Sequence, residues 1–235
     1  MGGLVRRGDK DDLLGYAERL GTDKLCVSSW KAINYDFVEG NNTVLGLMKA
    51  APDKILGYCV VHPRFGEHTL NEIDRCIVKG GMVGAKLYPV APRWRADEAT
   101  AFPLMEKLSK LRVPMLVHSD PVQPLLNLAD RFPEATIIMA HMGGGGSVAN
   151  IFATIHDSRR RENVYHDTTT SLVESGTVEE AVRVLGAERV LFGTDYPVLD
   201  PYTQLAKIKS AQITEEAKSL VLGGNMMRLI GRRRA

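Results

Sequence analysis

Six places in the sequence put groups capable of acid–base or metal chemistry directly after a short apolar run: His62-Pro-Arg64, Lys86 with Tyr88, His118-Ser-Asp120, His141-Met-Gly143, Asp167-Thr-Thr-Thr170 and Asp195. Neutral imidazole and carboxylate are the preferred ligands of zinc and similar divalent ions, and both also transfer protons. A lone histidine at the end of a strand is more often a satisfied core or capping group. Two histidines ending successive apolar runs, His118 and His141, with Asp195 ending a later one, point instead to a metal or proton-transfer site. Asp195 closes the stretch Val190-Leu-Phe-Gly-Thr-Asp195-Tyr-Pro197, where Gly193, Thr194 and Pro197 bend the chain away from a buried strand. A buried carboxylate there needs a cation, a metal or a proton as partner. Lys86 could pair with it, hold an anionic substrate group, or lay its stem along a rim. His166 alternates with Asp167, so only one of the two can face a given side.

Those residues require a scaffold that brings strand ends together. Strand starts are expected at Leu25, Ile55, Val83, Val113, Ala135, Val164 and Val190, about 22 to 30 residues apart, with helical patterns between them. Helices are expected over 9–21, 42–51, 70–79, 100–111, 123–132, 147–160, 178–185, 205–211 and 215–230. Continuous apolar strands imply a parallel sheet covered on both faces. A doubly wound sheet and a barrel both satisfy this beat. The barrel is favoured because the units repeat evenly, no G-x-G-x-x-G opens a helix, and polar groups sit at the ends of many strands. Glycines 143–146 could cradle a phosphate, although a tight strand-to-helix turn is the simpler reading. His68, His156 and Arg93-Trp-Arg95 fall in helices or loops, where surface positions are the default.

Composition narrows the function classes. The 235 residues are 44% hydrophobic, enough for one sizeable core, so 1–235 is expected to form a single domain. Thirty basic against 28 acidic residues give a net charge of +2, which argues for no nucleic acid and no membrane-surface partner. Arg159-Arg-Arg161 and Arg232-Arg-Arg234 read as solvated helix ends. Cys26, Cys59 and Cys76 are odd in number and lack C-x-x-C spacing, as expected of reduced core cysteines in a cytoplasmic protein. No signal peptide opens the chain, and no apolar run approaches the ~18 residues of a membrane span.

Five motifs then occur in register: Gly84-Ala-Lys86-Leu-Tyr-Pro89, Pro114-Met-Leu-Val-His118, Ala140-His141-Met-Gly-Gly144, Leu191-Phe-Gly-Thr-Asp195-Tyr-Pro197 and Leu222-Gly-Gly-Asn225-Met-Met-Arg-Leu229. The set resembles the amidohydrolase-related family, the branch that includes aminocarboxymuconate-semialdehyde decarboxylase and the resorcylate-type decarboxylases. The resemblance runs from about residue 9 to residue 231. It implies a (β/α)8 TIM barrel with one divalent metal, zinc or manganese, at the C-terminal rim. Carried over by position, His118 is the fifth-strand metal ligand and Asp195 the eighth-strand ligand that also handles a proton. His141 is the sixth-strand histidine beside the metal and a possible third ligand, and Lys86 the fourth-strand lysine. Substrate specificity is expected from rim residues such as Arg64, Tyr88, Trp94, Thr168, Thr169 and Thr170, with Lys86, Arg64 and Tyr88 as the substrate-binding set.

The family begins with a strand ending in His-x-His, which supplies two ligands. This sequence has no histidine before His62. Seven strands are therefore expected, with Leu25 opening the second, and the barrel should be incomplete, whether by truncation or as a natural variant. Its two open edges favour a homo-oligomer. A donor set short of the usual three protein ligands implies weak or absent metal. The function implied is a metal-dependent hydrolase or non-oxidative decarboxylase of a small carboxylated compound. The competing reading is a catalytically silent barrel that binds a ligand or partner, and a third is a phosphate-binding barrel using the 143–146 glycines.

Overall fold

The computed structural model describes residues 9–89, 94–118, 121–144, 146–172 and 176–232. The expectations on Arg93, Ser119, Asp120, Gly145, Arg233 and Arg234 lie outside these residues. Element order is α1 (Lys10–Leu20), β1 (Leu25–Val27), α2 (Trp30–Asn34), α3 (Phe37–Ala50), β2 (Ile55–Val60), α4 (Glu67–Ile73), β3 (Gly84–Leu87), α5 (Phe102–Lys110) and β4 (Met115–Val117). There follow α6 (Val122–Arg131), β5 (Ile137–Met139), α7 (Val148–Asp157), β6 (Val164–Asp167), α8 (Thr177–Leu185), β7 (Val190–Leu191), α9 (Pro201–Ser210), α10 (Glu215–Ser219) and α11 (Asn225–Ile230).

All seven strands are parallel neighbours in the order β1-β2-β3-β4-β5-β6-β7. This is the (β/α)8 barrel architecture with seven strands. Among the described residues no pairing closes β7 onto β1, so one side stays open. The register sets Lys86 beside Leu116, Met139 beside His166 and Asp167 beside Leu191. Alternation then sorts the faces. Outward residues such as Met115, Val117, Ile137, Met139 and Val164 bury against Leu104, Met105, Leu108, Leu125 and Leu128 of the surrounding helices. Inward residues Ile138, Tyr165 and Leu191 meet Leu229 and Met226 of α11, which fills the barrel interior below the rim.

Two boundaries depart from expectation for local reasons. α3 starts at Phe37 because the Asp36 carboxylate accepts the Glu39 N–H at 3.0 Å, a side-chain cap. Asn41, in the first turns of α3, is fully buried, and its amide bonds both Val60 N–H and C=O at 2.9 Å and donates to Glu72 at 2.8 Å. The C-terminal helix divides into α10 and α11 across a π-helical stretch, Leu220–Gly224. Two burial expectations are also corrected. Cys26 is exposed on β1, the strand that has no neighbour on its other side, whereas Cys59 and Cys76 are buried. Trp94 is 3% exposed, its ring centroid 5.8 Å from that of His62 in an edge contact. Among the described residues, no helix is long and apolar enough to cross a membrane.

Candidate active site

Lys86, Tyr88, His118, His141, Asp167, Thr169 and Asp195, at the C-terminal ends of the strands, line one end of a cavity of about 1150 Å³ that continues along the open side of the barrel past Leu116, Leu56 and Thr22. Trp30, just past β1, completes a row of rings along one wall. Its ring lies 6.1 Å from Tyr88 in an edge contact, Tyr88 lies 4.6 Å from His118, and His118 lies 5.0 Å from His141. Trp30 remains 58% exposed, and nothing but its position after a strand would have flagged it in the sequence.

Charge in this cavity is balanced by burial. Desolvation pushes the His118 imidazole down to about 4, with Lys86 and His141 adding to the effect, so the ring is neutral near pH 7. Its Nδ1 is buried without a hydrogen-bond partner among the described residues. Burial also lowers the Lys86 ammonium, while Asp167 and Asp195 pull it back up. Asp195 is exposed to the cavity rather than enclosed by protein, because the strand ends at Leu191 and the chain turns outward. The cavity walls still desolvate it. That effect raises its carboxyl, opposed by His141 and Lys86 and reinforced by the like charge of Asp167.

Backbone conformation is unusual at the same place. Four described non-glycine residues have positive φ, and three of them are His141 (58°), Met142 (53°) and Asp195 (50°). Such conformations cost roughly 1–3 kcal/mol each and persist where surrounding contacts impose them. For Asp195 those contacts come from the following loop. The Tyr196 ring packs 4.3 Å from Tyr16 of α1, and its hydroxyl donates to Asp12. For His141, the backbone N–H donates to Asp167 Oδ1 at 3.3 Å, and ring Nδ1 lies 3.2 Å from the Thr169 carbonyl. A carbonyl only accepts, so Nδ1 carries a proton, and in the neutral ring it is Nε2 that has the lone pair.

The alternation at β6 is decided by burial. Asp167 lines the cavity, and His166 is fully buried on the outer face, beside the Met142 backbone. Other expected residues stay out of the cavity. Arg64 is half-exposed and lies 3.8 Å from Glu98, and the His62 side chain accepts the Arg64 N–H at 3.2 Å, a cap on the turn it opens. His156 is exposed and pairs with Glu180 at 2.7 Å. Gly143 and Gly144 serve the turn: a Cβ would lie 2.3 Å from Thr154 and 2.2 Å from Ile151, respectively.

The donors suit a divalent cation in kind: a neutral imidazole with an unpartnered nitrogen, a second imidazole with a free lone pair, and a desolvated carboxylate. They are not drawn together to ligand spacing. Among the described residues the trio whose ligand atoms all lie within 4.8 Å is instead Cys59, Glu72 and Cys76. That trio is already satisfied, because Glu72 takes two 2.7 Å bonds from Arg75, one from Asn41 and one from the Cys76 thiol at 3.2 Å.

The family described as Amidohydrolase matches residues 28–232. The 2-amino-3-carboxymuconate-6-semialdehyde decarboxylase of Dictyostelium discoideum is 22% identical over 235 residues, covering 81% of this chain. The chain spans 65% of that relative's length. A 2,6-dihydroxybenzoate decarboxylase from Rhizobium has a similar fold at a TM-score of 0.78 and 18% identity, over 95% of this chain and 88% of the other. A dihydroxybenzoic acid decarboxylase from Polaromonas sp. JS666, solved with manganese and 2-nitroresorcinol, gives a TM-score of 0.74 at 19% identity, over 97% of this chain and 87% of the other.

Proposed function

The chain belongs to the amidohydrolase family, and from that premise we propose that its rim cavity performs metal-assisted, non-oxidative decarboxylation of a small aromatic carboxylate. The observation that carries this reading is the convergence of Lys86, His118, His141 and Asp195 on one cavity walled by Trp30 and Tyr88. The buried Lys86 ammonium holds the anionic group of the substrate. Tyr88 and Trp30 offer faces and edges to a planar ring and exclude water from it. In its neutral form, with the proton on Nδ1, His141 accepts a hydrogen bond or proton from a ring hydroxyl at Nε2. Asp195, its carboxyl raised by desolvation, carries a proton to the ring carbon. The bond to the carboxylate carbon breaks, its electron pair stays on the ring carbon and takes the proton from Asp195 to form the C–H bond, Asp195 is left as a carboxylate, and neutral carbon dioxide leaves.

A divalent metal, manganese or zinc, held by His118 and Asp195 with His141 beside it, would supply Lewis-acid polarisation of the substrate's oxygens. Manganese in the Polaromonas enzyme favours that metal. Hydrolysis of a C–N or C–O bond would use the same groups. The ring-lined wall and the decarboxylase relatives support decarboxylation over it. We read 1–235 as one barrel domain of a cytoplasmic homo-oligomer; the two open strand edges support association.

One observation favours a second reading, a silent ligand-binding barrel: among the described residues the His118, His141 and Asp195 donors are not at ligand spacing. Incubation of the protein with manganese and 2,6-dihydroxybenzoate separates the two. Loss of substrate with appearance of the decarboxylated phenol is the expected result. Saturable quenching of Trp30 fluorescence without turnover would support the silent barrel instead.

A further inference from the structure

We infer that Asp167 is the positioning residue of this site: through a single carboxylate oxygen it fixes both the backbone and the ring tautomer of His141. The inference deepens the proposed reading, because it concerns the histidine that reading uses as acceptor. Asp167 sits at the inward-facing end of β6, only 9% exposed, between the ends of β5 and β7. Its Oδ1 accepts two N–H groups, from His141 at 3.3 Å and from Thr169 at 2.9 Å. The first bond supports a residue held at φ 58°, where an L side chain does not rest unaided. The second folds the 167–169 segment back on itself. That fold brings the Thr169 carbonyl to 3.2 Å from His141 Nδ1 and fixes the ring proton there.

The other side of Asp167 is kept close by glycine. A Cβ on Gly193 would lie 3.3 Å from the Asp167 carboxyl carbon and 2.2 Å from Thr169 Oγ1, so the backbone leading to Asp195 passes directly against this pair. The carboxylate that holds the His141 turn therefore also lies directly against the segment that leads to Asp195. Its negative charge has a separate role, supporting the buried ammonium of Lys86. The positioning function rests on the acceptor geometry, and this makes it separable by substitution.

Asp167→Asn retains a side-chain oxygen able to accept both N–H groups, whereas Asp167→Ala retains none. Ring tautomers are read by two-bond proton–nitrogen correlation spectra of histidine-labelled protein, above the usual histidine pKa so that the ring is neutral. The His141 resonances are identified by their loss in His141→Gln. Wild type and Asp167→Asn should both show the Nδ1–H form as the dominant species, and Asp167→Ala a mixture shifted toward Nε2–H, the form favoured by free imidazole. A role confined to fold stability would lower the melting temperature of Asp167→Ala and leave the tautomer of its folded fraction unchanged. That result overturns the inference, as does loss of the Nδ1–H form in Asp167→Asn. Should Asp167→Ala fail to fold, the Asp167→Asn spectrum decides alone. The readout needs no turnover, so its failure is distinct from failure of the decarboxylase reading.

Discussion

His166 offers a measurement of how firmly β6 is oriented, because its placement outside the cavity has a large pH signature. The ring is fully buried, and desolvation first and Arg189 second push it down to about 3, against the smaller opposing effect of a hydrogen bond to the Met142 backbone. In the unfolded chain it titrates near pH 6.5. As pH falls through that value the unfolded chain takes up a proton that the folded chain refuses, so stability present above about pH 6.5 is lost progressively down to about pH 3. At about pH 4 the gap spans some 2.5 pH units, which at about 1.36 kcal/mol per unit is about 3 kcal/mol. His166→Leu removes the titration while keeping a buried apolar side chain, and the hydrogen bond to the Met142 backbone that it gives up is absent from the variant at both pH values. Urea unfolding followed by circular dichroism at about pH 7 and about pH 4 should show wild type losing about 3 kcal/mol more than the variant. The other carboxylates and histidines cancel in this comparison. An equal loss in both proteins, within ~0.5 kcal/mol, would refute a dry, neutral His166 and the strand orientation that puts Asp167 in the cavity.

Three further outcomes are expected. Asp195→Asn, which cannot carry the proton, should lower kcat with 2,6-dihydroxybenzoate by roughly a hundredfold or more, with little change in melting temperature. Trp30→Ala should weaken binding of the same compound by about 0.5–1.5 kcal/mol in a calorimetric titration and leave stability nearly unchanged, since the ring is 58% exposed. Gly193→Ala should destabilise by about 1–3 kcal/mol in denaturant unfolding, because the added Cβ meets Thr169 Oγ1 at 2.2 Å, and should also reduce turnover by displacing Asp195.

The barrel was legible because its strands are short continuous apolar runs that each end in a polar group, a pattern that needs no knowledge of packing. Lys86, Tyr88, His118, His141 and Asp195 were legible for the same reason, and all five meet in one cavity. Arg64 failed that logic. It follows His62 in a capped turn, so the residue after the strand points away toward Glu98. Asp195 reads as buried from its apolar neighbours, but those residues carry the chain only to the rim, and the positive-φ turn leaves the carboxylate open to the cavity. Asp167 and His166 could not be ranked, since alternation says that they face opposite sides without saying which faces in. Asn41 and Trp94 were hidden because burial of polar groups depends on partners far away in sequence, here Val60 and Glu72 for Asn41.

The central claim, that the residues converging on the rim decarboxylate an aromatic carboxylate, is tested most directly by carbon dioxide release. The protein would be incubated with manganese and carboxyl-labelled 2,6-dihydroxybenzoate, alongside His118→Ala and Asp195→Ala. Labelled carbon dioxide above background from the wild-type chain, abolished in both variants, is the predicted result. No release from a folded wild-type chain that binds the compound, or equal release from all three proteins, would contradict it.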